Sequence, residues 1–437
     1  MFLKNAIAYR KTLDFSLFLC IIYVTFRGML TVLTYKIGDE MINRNNLELG
    51  QQKSVIRELF EYGKKRKAEI GEENVHDFSL GNPSLPCPIE VNEEIARLVE
   101  EIEPVALHGY TSAQGDLSVR RAIAEYITDS LGYPARAENI YLTVGCAAAL
   151  VCSLSAVVCP GEEVILLSPY FPEYKVFARG VGAVIKEVPC KAGSFGLDVC
   201  AIRDALTERT AAIVINSPNN PTGAVYTEEE IEALANMLSS FKKESGRTVY
   251  IISDEPYREL VYDGVQTVFI PKYYKDTIVC YSFSKSLSLP GERIGYVFVP
   301  DELEDSALVY DAVAGSGRLH GYVCAPSLLQ HVLPACLGKT ADISIYDRNR
   351  QLLYEGLSAM GYTATRPSGA FYLFLKSPES DANAFCERAK KYELLLVPSD
   401  SFGYPGYVRI SYCVKTEQIE RALPAFVALA KEYGLEG

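Results

Sequence analysis

Residues 277–299 run T-I-V-C-Y-S-F-S-K-S-L-S-L-P-G-E-R-I-G-Y-V-F-V. Two short apolar stretches, 277–282 and 294–299, flank a polar mouth that contains Lys285 and Arg293. Neither stretch alternates polar with apolar residues, as a strand with one wet face would; their continuous apolar character fits strands covered on both faces. The same character recurs at 140–144 (I-Y-L-T-V), 164–167 (V-I-L-L), 211–216 (A-A-I-V-I-N) and 248–253 (T-V-Y-I-I-S), with helical stretches between them. Such strands alternating with helices predict an α/β fold with a mainly parallel sheet between helical layers. In that architecture the ligand crevice lies outside the carboxyl ends of the strands, where polar residues follow several of these stretches.

Helical periodicity brackets this middle region. Apolar side chains at 55, 56, 59, 60 and 70 predict an amphipathic helix over 54–70, opened by Ser54 as a cap and carrying the basic run Lys64 to Lys67 on a solvated face. Val119, Ile123, Ile127 and Leu131, at four-residue steps, predict a helix over 115–132 that ends near Gly132. The Pro-rich stretch 81–88 is a connector. Toward the C-terminus the rhythm changes. Strands 370–375 and 407–412 and a closing helix 416–433, with Ile419, Leu423, Phe426 and Leu429 inward, predict a smaller α+β domain.

The length of 437 residues allows two or three domains. A net charge of −12 repels phosphate backbones and argues against nucleic-acid binding over the whole surface, while leaving room for a local basic pocket that takes a small anion. Twelve cysteines without a C-x-x-C pair predict reduced thiols in a cytoplasmic protein. His76, His108, His320 and His331 are too scattered for a metal centre. Residues 15–26 are apolar, but twelve residues are too few to span a bilayer, which takes about 20, and no signal-peptidase-like site follows. The tripeptide Gly38-Asp39-Glu40 before Met41 can be encoded by a purine-rich tract resembling a bacterial ribosome-binding site. Residues 1–40 are therefore expected to be upstream sequence outside the native protein, with a membrane-lying anchor or an ordinary extension as the alternatives.

The chemistry concentrates around Lys285. A lysine flanked by hydroxyls at the mouth of a buried strand, with Arg293 returning to it, can form a Schiff base while Ser282 and the guanidinium clasp a phosphate. The segment Thr143-Val144-Gly145-Cys146-Ala147-Ala148 ends a strand and opens a helix, so the main-chain N–H groups of Cys146 and Ala147 offer an anion site; the Cys146 thiol itself reads as a small packed group. Asp254 in D-E-P-Y could, alone, be a helix cap, and Asn219-Asn220-Pro221-Thr222-Gly223, alone, is a good turn. Arg409 lies inside the apolar strand Y-V-R-I-S and must be paired, either by a ligand carboxylate or by an internal acid. Gly315 to Gly321 resembles a dinucleotide loop only superficially, because the last spacing is wrong and no apolar strand leads into it.

In chain order these motifs resemble those of the class I/II aminotransferases of the pyridoxal-phosphate fold type I superfamily, over roughly residues 50–435. The resemblance implies a large domain with a mainly parallel seven-stranded sheet between helices plus a smaller α+β domain. The corresponding division is 1–40 extension, 41–101 N-terminal arm and part of the small domain, 102–325 large cofactor domain and 326–437 small C-terminal domain. It makes Lys285 the Schiff-base lysine and proton shuttle, Asp254 the partner of the pyridine nitrogen, and Tyr257 and Asn220 the partners of the ring hydroxyl. A carboxylate beside that nitrogen keeps it protonated, and the protonated ring is the electron sink. Gly145, Cys146, Ala147, Ser282 and Arg293 become the phosphate site, and Phe171 in S-P-Y-F-P stacks on the ring. Tyr110 in H-G-Y reaches the phosphate of the neighbouring subunit, or is a core tyrosine. Arg409, with Gly81 and Asn220, takes the substrate carboxylate.

The implied activity is transfer of an amino group between an L-amino acid and a 2-oxo acid by a ping-pong cycle, in a cytoplasmic homodimer with shared sites and no nucleic-acid or membrane partner. A carbon–sulfur β-lyase is the rival from another enzyme class. A cofactor-sensing regulator would need a DNA-binding module for which the first fifty residues are too short and apolar. Many aspartate-specific bacterial members carry a lysine where this chain has Ala147. A distal carboxylate left unpaired in a closed pocket would cost several kcal/mol. Either the main donor is neutral or aromatic or another cation substitutes, and the expectation is a broad or neutral-amino-acid donor range, with 2-oxoglutarate as a possible acceptor; for the aspartate alternative, Arg318 and His320, in the segment that in other members sends an arginine across the dimer interface, are the candidate cations.

Overall fold

The computed structural model describes residues 22–26, 29–33, 42–51 and 54–435, without the side chains of 22–26, 29–33 and 45. The expected extension 1–40 thus lies mostly outside the described residues; within it, Ile22–Phe26 and Met29–Leu33 pair as antiparallel strands. A helix spans Arg44–Gln51. The remainder, from Ser54 onward, is one compact unit.

That unit is built on a seven-stranded sheet. Its strands, in spatial order, are Ile140–Thr143, Gly295–Phe298, Thr277–Ser282, Tyr250–Asp254, Thr210–Asn216, Glu163–Ser168 and Val184–Pro189. Gly295–Phe298 runs antiparallel to both of its neighbours and every other pairing is parallel. Six strands therefore share one direction, and their carboxyl ends line one edge. All six strands anticipated from continuous apolar runs are present. The seventh, Val184–Pro189, was not among them, because Lys186 and Glu187 interrupt its pattern; it is a sheet edge, where charged residues discourage pairing with other chains.

Helices cover both faces. Cys146–Val157 packs against the sheet from one side, together with Ser306–Leu319. Leu117–Leu131 buries Val119, Ile123 and Ile127 in a core that also holds residues of Ile89–Glu101 and Ser327–Cys336. The glycines at 315 and 317 lie inside the helix Ser306–Leu319, not in a phosphate loop. Gly317 is small for a packing reason: a Cβ there would stand 1.9 Å from the Tyr141 hydroxyl.

The C-terminal part has its own sheet, ordered Tyr372–Lys376, Tyr407–Ser411, Val397–Pro398, all antiparallel. The helix Thr416–Glu432 closes it, with Ile419, Phe426 and Leu429 buried and Leu423 half-buried. The helix Val55–Ile70 lies over this sheet through Leu59, which packs with Val397 and Phe402. Two readings of that helix need correction. Ser54 stands at the N-cap without a side-chain capping bond, and the basic run is only partly solvated. Arg66 pairs with Glu393 at 2.6 Å and Lys67 with Asp77 at 3.1 Å, so two of its four charges help dock the helix.

Candidate active site

A cavity of about 480 Å³ opens at the carboxyl edge of the large sheet, facing the small sheet. Cys146, Ala147, Phe171, Asn220, Asp254, Tyr257, Ser282, Lys285, Arg293, Arg409 and Gly81 all line it. Five of them follow the ends of five different strands: Cys146 after Ile140–Thr143, Phe171 after Glu163–Ser168, Asn220 after Thr210–Asn216, Tyr257 after Tyr250–Asp254 and Lys285 after Thr277–Ser282; Arg409 lies within the strand Tyr407–Ser411. Register aligns these ends, with Asn216 opposite Asp254 and Gly295 opposite both Ser282 and Thr143. Tyr110 is the exception. It is 90% exposed and lies away from the wall, which removes the core-tyrosine alternative.

Asp254 is buried and has no cation beside it. Oδ1 accepts from the Cys146 thiol at 2.8 Å. Oδ2 accepts from the Tyr174 hydroxyl and, at 3.3 Å, from Asn216 Nδ2. Burial pushes its carboxyl up to about 6, against the pull of the Cys146 and Tyr174 bonds. A buried carboxylate held by neutral donors alone is short of positive charge, which a protonated ring nitrogen would supply. Asn216 extends the array: its Oδ1 accepts from the Asn220 N–H at 2.7 Å, and Asn220 Oδ1 accepts from Arg409 at 3.2 Å.

Arg409 is 2% exposed, and no carboxylate among the described residues lies within ion-pair distance of it. It donates to Asn220 and to the Ser79 carbonyl (2.5 Å), its Nε has no partner, and its guanidinium lies over the rings of Tyr372 and Phe402, at 4.7 and 5.2 Å. The internal acid weighed as an alternative partner is absent. Burial lowers its pKa, the signature of a charge awaiting a counter-ion.

Lys285 Nζ donates to the Gly81 carbonyl at 2.6 Å. Burial, with smaller contributions from Arg409 and Arg293, lowers its ammonium to about 8, so the nucleophilic free amine is far more available near neutral pH than that of an ordinary lysine. Gly81 must be glycine here, since a Cβ would stand 2.0 Å from the Tyr372 hydroxyl. Tyr372 in turn shares a 3.0 Å hydrogen bond with Tyr257.

Gly145 has φ +87°, caps the helix Cys146–Val157, and would carry a Cβ 2.5 Å from an Arg293 guanidinium nitrogen. Arg293 itself has φ +54°, a left-handed backbone that non-glycine residues adopt at a cost and that clusters at functional sites. Its guanidinium donates only to the carbonyls of Pro290 and Val144, at 2.8 and 3.4 Å. A helix N-terminus, a serine and an arginine that has no acid partner among the described residues could together hold a phosphate. The donor set therefore fits pyridoxal phosphate: a carboxylate for its ring nitrogen, an amine for its aldehyde and an anion cradle for its phosphate.

Among the wall residues that sequence reasoning missed or misjudged, four bear on the polar network. Tyr174, Asn216 and Tyr372 were not singled out, although Asn216, a polar residue closing an apolar strand, was a visible signal. Cys146 was read as packing and is instead a hydrogen-bond donor to Asp254. Arg318 and His320 are exposed and are not on the wall.

The family model for aminotransferase class I and II matches residues 73–426. An aspartate/prephenate aminotransferase of Thermus thermophilus is 33% identical over 356 residues, 80% of this chain and 89% of that protein. The aromatic-amino-acid aminotransferase 2 of Thermococcus litoralis is 29% identical over 396 residues, 87% of this chain and 96% of that one. Among solved structures, an amino transferase from Eubacterium rectale superposes with a TM-score of 0.88 at 53% identity, covering 90% of this chain and 99% of its own.

Proposed function

The chain belongs to the class I and II aminotransferases and is a pyridoxal-phosphate-dependent transaminase acting on an amino acid and a 2-oxo acid, and on that premise we propose that its donors are neutral or aromatic amino acids. The carbon–sulfur lyase alternative is not favoured by these relatives. When bound, pyridoxal phosphate supplies the electron sink that makes the substrate's α-proton removable. In this reading Arg409 grips the α-carboxylate with two parallel N–H donors, and Asn220 fixes the guanidinium plane. Gly145, Ser282 and Arg293 would hold the phosphate, Phe171 would cover the ring, and Tyr257 and Asn220 would meet its hydroxyl. Asp254 keeps the ring nitrogen protonated. The Lys285 amine is the base that would hold and move the substrate's α-proton.

The observation that carries the substrate class is the wall itself. Ala147 leaves no cation at the position where a distal carboxylate would need one, and Ile56, Phe60, Leu150 and Phe171 present apolar surface. Glu173 adds a negative charge to the same wall. The one further basic residue there is Arg57, on the helix Val55–Ile70. Arg57 is therefore the candidate within one subunit for the distal carboxylate of a 2-oxoglutarate acceptor, beside Arg318 and His320, which would act across a dimer interface. A donor panel against 2-oxoglutarate and pyruvate tests this. Aromatic or neutral donors should exceed aspartate, and Arg57→Ala should raise KM for 2-oxoglutarate while sparing pyruvate. Aspartate as the best donor, unaffected by Arg57→Ala, refutes the assignment.

The same reading includes a cytoplasmic homodimer. Val105, Tyr110, Leu319 and Val323 are large side chains more than 60% exposed, apolar surface of the kind that a second copy covers. Cys159 and Cys200 are exposed free thiols, which suits a reducing compartment. No helix among the described residues is long and apolar enough to cross a membrane.

A further inference from the structure

We propose that Cys146 is a positioning residue for Asp254, its thiol holding the carboxylate ionised and oriented so that the proton of the cofactor pair stays on the ring nitrogen. This rests on the reading of Asp254 as the partner of that nitrogen.

The geometry is specific. Cys146 opens the helix Cys146–Val157, and its Sγ lies 2.8 Å from Asp254 Oδ1. Among the described residues no other hydrogen bond reaches Oδ1; the remaining donors, Tyr174 and Asn216, both go to Oδ2. Without the thiol, one oxygen of a buried carboxylate is left without a donor, and the group can turn about its Cα–Cβ and Cβ–Cγ bonds. The groups facing Asp254 offer no substitute. Glu255 is acidic and engaged by Arg258 at 2.7 Å; Tyr257 is paired with Tyr372; Cys280, on the adjacent strand, is bonded to Ser153.

The direction of the effect follows from what a donor does to a carboxylate. A hydrogen bond to the ionised form lowers its proton affinity, and a competing proton then stays on the nitrogen. The thiol remains a donor because burial and the neighbouring Asp254 push its own pKa well up, which also makes it inert as a nucleophile. One residue thus serves both ends of the site, its main-chain N–H at the helix N-terminus and its side chain at the buried carboxylate.

The test compares two ligands on the apoprotein, pyridoxal 5′-phosphate and its 1-deaza analogue, in which a C–H replaces the ring nitrogen. Affinities are measured by equilibrium titration from pH 6 to 9. Wild type should prefer pyridoxal phosphate; equal binding of both ligands by wild type would overturn the Asp254 reading itself. Cys146→Ala and Cys146→Val, two non-donors of different volume, should weaken pyridoxal phosphate by about three- to tenfold, a range suited to a weak S–H donor, and leave the analogue unchanged. The pH at which affinity for pyridoxal phosphate changes should move upward in both. Cys146→Ser should restore affinity and pH midpoint toward wild type. A loss shared equally by both ligands, an unmoved pH midpoint, or failure of Cys146→Ser to rescue would reduce Cys146 to packing and overturn the proposal.

Discussion

Replacing Arg409 by methionine should stabilise the apoprotein and disable the enzyme. The guanidinium is buried with no carboxylate partner, its Nε unbonded, and its remaining donors on one amide oxygen and one carbonyl. Replacing buried charge by apolar side chains of similar volume is often neutral or stabilising, by about 1–4 kcal/mol. Here no native ion pair is lost, and a methionine retains contact with the rings of Tyr372 and Phe402. Unfolding entropy of about 2.1 cal/mol/K per residue over about 380 ordered residues gives roughly 0.8 kcal/mol/K, so Tm should rise by about 1–5 °C. On the other side stands the substrate carboxylate. Two charge-assisted hydrogen bonds at roughly 1.5–3 kcal/mol each amount to a fall in kcat/KM of about 10² to 10⁴. Thermal unfolding without substrate and steady-state kinetics on the reconstituted enzyme provide the two readings. A methionine variant that melts below wild type would mean that the arginine holds the fold together. One with kcat/KM within tenfold of wild type would mean that the carboxylate binds elsewhere.

Lys285→Met should abolish turnover, and the stability difference should reveal the buried amine. With its pKa lowered to about 8, native Lys285 binds fewer protons than the unfolded chain between about pH 8 and 10.5, so its destabilising effect is full below 8 and disappears by 10.5. Apo Lys285→Met should therefore exceed wild type by about 3 kcal/mol at pH 7, with the gap closing across that window; a pH-independent gap refutes the shifted amine. Gly145→Ala strains a φ of +87° and displaces the Arg293 guanidinium, so affinity for pyridoxal phosphate should fall by at least tenfold, measured by titration of the apoprotein, while an unchanged affinity removes Arg293 from the phosphate site. For Tyr110, mixing Lys285→Ala with Tyr110→Ala subunits should regain activity if the tyrosine serves the partner's site, and no regain points to self-contained subunits.

The large sheet was legible because its strands are buried on both faces and so appear as unbroken apolar runs, whereas the edge strand Val184–Pro189 is half wet and carries the charges that protect an edge. The strand Val397–Pro398 has two residues, too few for any period. Site residues divide along the same physical line. Lys285, Asp254, Asn220 and Arg293 stand out in sequence because each interrupts an apolar strand end or a turn with a group that is costly to bury. Tyr174, Tyr372 and Cys146 do not, because a tyrosine or cysteine among apolar neighbours is an ordinary core residue until a partner is seen across the chain, 80 residues away for Tyr174 and 108 for Cys146. The same limit explains Arg57. Its charge on an amphipathic helix looks like solvated surface, and only the docking of that helix through Leu59, Arg66 and Lys67 brings it to the cavity. Groups that oppose the local pattern can be found from sequence, and groups that conform to it act through tertiary contacts. In this chain the first kind supplies the groups proposed for the chemistry, while the second kind contacts the buried carboxylate and lines the cavity.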